Sequence, residues 1–168
     1  VVDSAVKARR LLDEIGSPHL KVTMEAANLF HAGELPRMSE ILDEAFALVG
    51  KDIVMAHAKD LDHDGDAGHK AAGEGKLDYL RYLSLLHRNG FKGPIFLHGL
   101  SEAQVPGCLA FLRENLARAT AAATAARGQA CGSCPATKEG WRGPLQGTRD
   151  APRRRGRGGG PGCATPAF

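Results

Sequence analysis

The strongest constraint on this chain is a repeated order of elements. Three short apolar runs, at residues 20–25, 52–58 and 94–98, recur at separations near the roughly 30 residues of a strand–helix–strand unit. Each run is followed by a longer stretch with helical spacing. Connections of that length between successive strands are crossovers, so the strands are read as parallel and the class as α/β.

The helical stretches are read from their apolar spacing. Residues 3–15 carry Val6, Leu11, Leu12 and Ile15 and stop at Gly16, Ser17 and Pro18. Pro36 opens a second helix with Met38, Ile41, Leu42, Ala45, Phe46 and Val49 on one face, ended by Gly50. Residues 78–88 form a third, with Asp78 as N-cap and Tyr79, Leu80, Leu83 and Leu86 inward. A fourth runs from Ala103 to about Arg118 with Val105, Cys108, Leu109 and Leu112. Residues 59–75 read as a polar loop. Period alone does not separate a closed barrel from an open doubly wound sheet.

A complete eight-stranded barrel needs about 250 residues, and this chain has 168, beginning at Val1 without an initiator Met. The expectation is therefore a fragment, with residues 1–118 a partial barrel and 119–168 a low-complexity, disordered tail. That tail is Ala-rich and then Gly-, Pro- and Arg-rich, with too few aliphatic side chains to offset the entropy of ordering it. The formal charge of +3 arises there: residues 127–168 hold eight Lys and Arg against two Asp and Glu, whereas residues 1–126 hold 14 against 17. A nucleic-acid role for the Arg/Gly run is not favoured on composition alone. No stretch has the length or flanks of a membrane span or secretory signal, so a soluble, cytoplasmic protein is expected. Cys131 and Cys134 stand as a lone pair with no second pair to complete a zinc site, and Cys108 reads as a small buried thiol.

The chemistry collects at one end of the strands. Glu25, His57 and His98 each sit where a predicted strand stops, and no similar residues mark the strand starts. Ligand sites of parallel α/β folds lie at the carboxyl ends of strands, where the loops converge. Alternation puts Thr23 and Glu25 on one face, likewise Met55, His57 and Lys59, and Phe96 and His98. The opposite face carries Val22, Met24, Val54, Ala56, Ile95 and Leu97, apolar enough to lie under helices. Asp62, Asp64 and Asp66 lack the acidic twelfth position of a calcium loop and read as a solvated turn. Gly73, Glu74 and Gly75 follow a loop rather than a strand, which excludes a dinucleotide fingerprint and suggests a tight chain reversal.

Four segments carry a resemblance: residues 20–30 (LKVTMEAANLF), 53–60 (IVMAHAKD), 73–79 (GEGKLDY) and 93–100 (GPIFLHGL). In order and spacing they resemble the last three strand segments of the xylose-isomerase-like TIM barrel superfamily, which includes sugar phosphate isomerases and epimerases and apurinic-endonuclease-type barrels. The resemblance covers residues 1–116. It implies a divalent metal ion, whether manganese, magnesium, cobalt or zinc, held by Glu25, His57 and His98. It further implies Asn28, Lys59, Asp60 and His69 at the substrate, with His98 and Lys59 catalytic. His57, Lys59 and Asp60 match an H-x-K-D pattern. The implied reaction is proton transfer between adjacent carbons of a sugar or sugar phosphate through a metal-bound enediolate.

Two positions depart from the family: Glu25 stands where an Asp is usual, and His98 where a Glu is common. The alternatives are an apurinic-endonuclease-like phosphodiesterase, suggested by His69 ahead of Gly73 but short of an Asp at Ala67, and an inactive truncated barrel. A three-strand piece leaves its sheet edges open, so the chain alone is expected to be inactive and poorly soluble. The partner is a small-molecule sugar or sugar phosphate, with a homo-oligomer left open and no membrane.

Overall fold

A computed structural model describes residues 2–68 and 70–130. Helix α1 (Ala5–Ile15) is capped by Ser4, whose hydroxyl accepts the Lys7 N–H, and is stopped by Gly16 at φ 61°, a conformation glycine adopts without a Cβ clash. Strand β1 (Val22–Glu25) follows. A 3₁₀ turn with Pro36 leads into helix α2 (Met38–Val49), and strand β2 (Ile53–Asp60) then runs in the same direction as β1. Next come β3 (Lys70–Ala71), helix α3 (Tyr79–Arg88) behind its Asp78 cap, β4 (Ile95–Leu97), and helix α4 (Val105–Ala130), entered through a Ser101–Gln104 capping box.

β2 is the central strand, with β1 and β4 parallel to it on either side. Glu25 is in register with His57, and the His98 N–H donates to the Ala58 carbonyl at 3.1 Å. All three strands therefore finish at one rim. The sheet's other face is buried by α2 and α3: Met24, Ala56 and Ala58 meet Phe46, Val49, Tyr82, Leu83 and Leu86 in one apolar core. Phe46 packs edge-on against Tyr82 with ring centroids 6.0 Å apart. Each fully buried side chain of this size contributes about 1.5–3 kcal/mol.

The structure departs from the sequence pattern at four places. Val54 is 48% exposed rather than under a helix. Val22 pairs with Ile53 but Thr23 with Met55, so Val54 is an extra residue that resets the alternation, and Ile53 takes the buried place. Gly93 lies so close to the Val54 carbonyl that a Cβ would come within 1.9 Å of its oxygen, which only glycine permits. On α1 only Leu12 is buried, and Val6 is 57% exposed. This helix packs on α2; Ala8 is partly buried against the core, while Leu11 and Ile15 are exposed like Val6.

The third departure is β3, which pairs antiparallel with the end of β2 inside the stretch expected to be loop. The fourth is α4, which runs on to Ala130 rather than ending near Arg118. Residues 131–168, including Cys131, Cys134 and the Arg/Gly run, lie outside the described residues. Cys108 is buried, as expected, and burial pushes its thiol above the ordinary cysteine range. No helix among the described residues is long and apolar enough to cross a membrane.

One ion pair ties α1 to the start of β2. The Arg9 guanidinium donates to Asp52 Oδ2 at 2.8 Å, and that hydrogen bond, reinforced by Lys21 and opposed by burial, holds the Asp52 carboxyl below its usual range. A depressed carboxylate pKa adds stability above the unfolded value of about 4 and loses it as pH falls through the folded value. Arg9→Met is therefore expected to lower Tm only slightly at pH 7, since the pair is partly solvated. The gap between variant and wild type, present at pH 7, should narrow at an acid pH below the ordinary carboxylate value of about 4. A gap of equal size at both pH values would assign the effect to packing of the arginine stem.

Candidate metal centre

The rim brings together three side chains from three strand ends. Glu25 closes β1, His57 stands opposite it on β2, and His98 follows β4 by one residue. Parallel strands held in register deliver these residues to one height without any contribution from the loops. The Glu25 Oε2 atom accepts from the Nδ1–H of His57 at 3.1 Å and from the Nδ1–H of His98 at 2.9 Å. One ligand atom from each residue lies within 4.8 Å of the others. Side-chain exposure rises from 11% at Glu25 through 28% at His57 to 56% at His98, so the carboxylate forms the floor and His98 the mouth.

The second oxygen tests whether this set fits a cation. Glu25 Oε1 is buried and has no hydrogen-bond partner, an arrangement native structures seldom leave uncompensated. One carboxylate and two imidazoles form an oxygen and nitrogen donor set suited to manganese, cobalt or zinc, and less to magnesium. Three protein donors would leave coordination positions open for water or substrate. The residues fit a divalent ion.

Helix α3 holds this end of β2 from below. The Tyr82 hydroxyl donates to the His57 carbonyl at 3.2 Å, and the Tyr79 hydroxyl to the Lys59 carbonyl at 2.9 Å. Burial pushes both phenols well above their ordinary range, so each remains a protonated donor. The sequence reading placed Tyr79 on an apolar face and passed over Tyr82. A buried tyrosine hydroxyl needs a partner, and two tyrosines three apart on a helix behind a strand were the available signal.

The other candidates separate. Lys59 is buried, and its ammonium donates to Asn28 Oδ1 at 2.9 Å. Asn28, on the 3₁₀ turn after β1, lines a cleft of 420 Å³ together with Thr23, Glu25, Leu29 and His31. Asp60, expected to touch substrate, is engaged elsewhere: its carboxylate accepts backbone N–H groups from Leu61 and Leu77 at 2.8 Å and from Gly73 at 2.9 Å. With both oxygens bound to the loop and 1% of the residue exposed, Asp60 shapes the rim and does not reach into the cleft. Gly75 passes so near that a Cβ would come 2.5 Å from Asp60 Oδ1, which gives the glycine there a steric reason. His69 lies outside the described residues. Asp62, Asp64 and Asp66 form a turn closed by their own backbone, with the Asp66 N–H donating to Asp64 Oδ1 at 3.1 Å.

A family model described as xylose isomerase-like TIM barrel matches residues 1–126. Among solved structures, a xylose isomerase domain protein from Alicyclobacillus acidocaldarius subsp. acidocaldarius superimposes with a TM-score of 0.55 at 16% sequence identity. The match covers 70% of this chain and 44% of that one, so the chain spans less than half of its neighbour's length. At that identity the likeness bears on the fold alone. No curated protein matches the chain.

Proposed function

Because the chain belongs to the xylose isomerase-like TIM barrel family and folds as part of such a barrel, we propose that its strand-end rim belongs to a metal-dependent isomerase or epimerase acting on a sugar or sugar phosphate. The superfamily includes sugar isomerases and epimerases and AP-endonuclease-like enzymes. The observation that carries the narrower reading is the convergence of Glu25, His57 and His98, with an unpartnered carboxylate oxygen, at the end of the sheet where α/β enzymes bind ligands.

Glu25, His57 and His98 would hold the ion. When bound, it would polarise a substrate carbonyl and so acidify the neighbouring C–H. The remaining work falls to the chain's own groups. Glu25, deepest in the site, fixes both imidazoles by accepting their Nδ1 protons. With Nδ1 of His98 turned to the carboxylate, only Nε2 is left at the open mouth, where it serves either as a ligand to the ion or as the base that takes a proton from one carbon and returns it to the next, but not as both. Lys59, held by Asn28, supplies positive charge for an oxygen that gains negative charge as that proton leaves. Tyr79 and Tyr82 keep the strand end, and with it His57 and Lys59, at a fixed height.

The test is isotope exchange. Incubated with manganese in D₂O, a full-length barrel containing this chain should place deuterium on the carbon beside the carbonyl of a ketose, and chelation should stop the exchange. Absence of exchange across a panel of ketoses and ketose phosphates, in a sample shown by calorimetry to bind manganese, would sink the isomerase reading and leave a metal-binding barrel.

A further inference from the structure

Glu25, His57 and His98 bring one carboxylate and two imidazoles together, and no fourth His, Cys, Asp or Glu joins the group among the described residues. The adjacent acid on β2, Asp60, turns both oxygens to the backbone N–H groups of Leu61, Gly73 and Leu77. All three donors rise from the ends of neighbouring parallel strands, so they reach an ion from one side. The opposite side opens outward past His98, whose side chain is 56% exposed. The wall beside the triad is apolar. Phe96 is paired with His57 across the sheet, stands edge-on to its imidazole with ring centroids 6.3 Å apart, and is 47% exposed. Met55 lies on the same face, two residues before His57.

Zinc in catalytic sites uses three protein ligands and a single free position. An octahedral ion held from one side keeps a whole face free. Two imidazoles beside one carboxylate move the set away from magnesium and calcium. A face of two histidines and one carboxylate with open positions is the donor set of mononuclear ferrous centres that work on dioxygen. Dioxygen is apolar, and an uncovered phenyl ring beside an open coordination position favours its approach over that of water. We propose that the rim takes ferrous iron, and that dioxygen binds at a position the triad leaves open, on the Phe96 side. The proposed step is ligand exchange alone, the gas taking the place of water. It stands on the metal centre and not on isomerisation, and gives the same three side chains a second chemistry.

Nitric oxide is the probe, because it takes the dioxygen position on ferrous iron and yields a paramagnetic resonance signal that neither component gives alone in solution. A full-length barrel containing this chain is loaded anaerobically with ferrous iron, freed of unbound metal by gel filtration, and exposed to nitric oxide. The expected result is stoichiometric iron and a ferrous-nitrosyl signal from most of it. His57→Ala and His98→Ala should each lower that signal at least about tenfold, since even outer partners of metal ligands govern about 10–100-fold in affinity. Zinc added before iron should suppress the signal in the unaltered protein, because zinc outbinds iron at a shared site of this kind; that arm decides should the variants fail to fold. Failure to retain iron, retained iron without a nitrosyl signal, or a signal that survives in a folded variant or under zinc would each overturn the proposal. Manganese-supported deuterium exchange is measured separately, so loss of the isomerase reading and loss of this one are told apart.

Discussion

Glu25→Ala is expected to weaken manganese binding by at least about 100-fold while leaving the metal-free protein as stable as before, or slightly more so. The magnitude follows from position: outer partners of metal ligands already govern about 10–100-fold in affinity, and Glu25 is the one residue that touches both other candidate ligands. The sign of the metal-free effect follows from burial. Glu25 Oε1 is shut away from water without a partner, so its removal relieves a desolvated oxygen even as Oε2 gives up two imidazole N–H groups. A ligand that strains the empty fold and steadies the filled one is what a binding site predicts, whereas a structural carboxylate predicts destabilisation in both states. Calorimetry gives the affinity, and thermal unfolding with and without chelator gives the two stabilities. A Glu25→Ala protein that binds manganese within a few-fold of wild type, or that loses several degrees of Tm in chelator, would remove Glu25 from the metal site.

The same residue shows which parts of the site could be read from the chain. Glu25, His57 and His98 are 32 and 41 positions apart in sequence, yet strand ends in parallel register must meet, so the triad follows once three parallel strands are placed. Registers of individual residues are another matter. Nothing in the order Ile53, Val54, Met55 shows which of the three is the bulged one, because all are apolar and each fits either face. Backbone pairing with Val22 and Thr23 decides it, and pairing is a property of two strands. The apolar stripe of α1 promises more burial than the fold delivers, for a related reason. Periodicity reports that a face is able to be buried, and Val6 and Ile15 remain exposed where no neighbour covers them.

Roles proved harder to read than positions. Asp60 follows Lys59 at the end of β2 and has the polarity of a ligand-binding residue. The sequence carries no sign that three N–H groups, two of them more than ten residues away, would occupy its carboxylate. Gly73 and Gly75 mark a tight reversal in the sequence, but what crowds each of them emerges only from the fold: the Phe111 ring at Gly73, and the Leu61 carbonyl and Asp60 carboxylate at Gly75. Lys59 and Asn28 were both legible as polar residues near the rim. That they face one another emerges only from the fold.

Asp60→Ala is expected to destabilise the protein by about 3–5 kcal/mol, a large share of the 5–15 kcal/mol that holds a domain of this kind together. The carboxylate accepts from Leu61, Gly73 and Leu77, and the bonds to Leu61 and Leu77 are fully buried. Alanine would leave those N–H groups without water or acceptor, each costing about 1–3 kcal/mol. Asparagine discriminates this clamp from a general need for bulk. Its amide oxygen can take the place of Oδ1 and receive Leu61 and Leu77, while its NH₂ group, placed at Oδ2, would oppose the Gly73 N–H. The expected cost for Asp60→Asn is thus about 1–2 kcal/mol, well below that of alanine. Urea unfolding gives the two values, and amide exchange should show Leu61 and Leu77 unprotected in the alanine variant but retained in asparagine. Because the loop and not the triad carries these bonds, manganese affinity should fall far less than in Glu25→Ala. Equal losses for alanine and asparagine, or metal binding abolished in a folded Asp60→Asn protein, would return Asp60 to the ligand site from which its hydrogen bonds remove it.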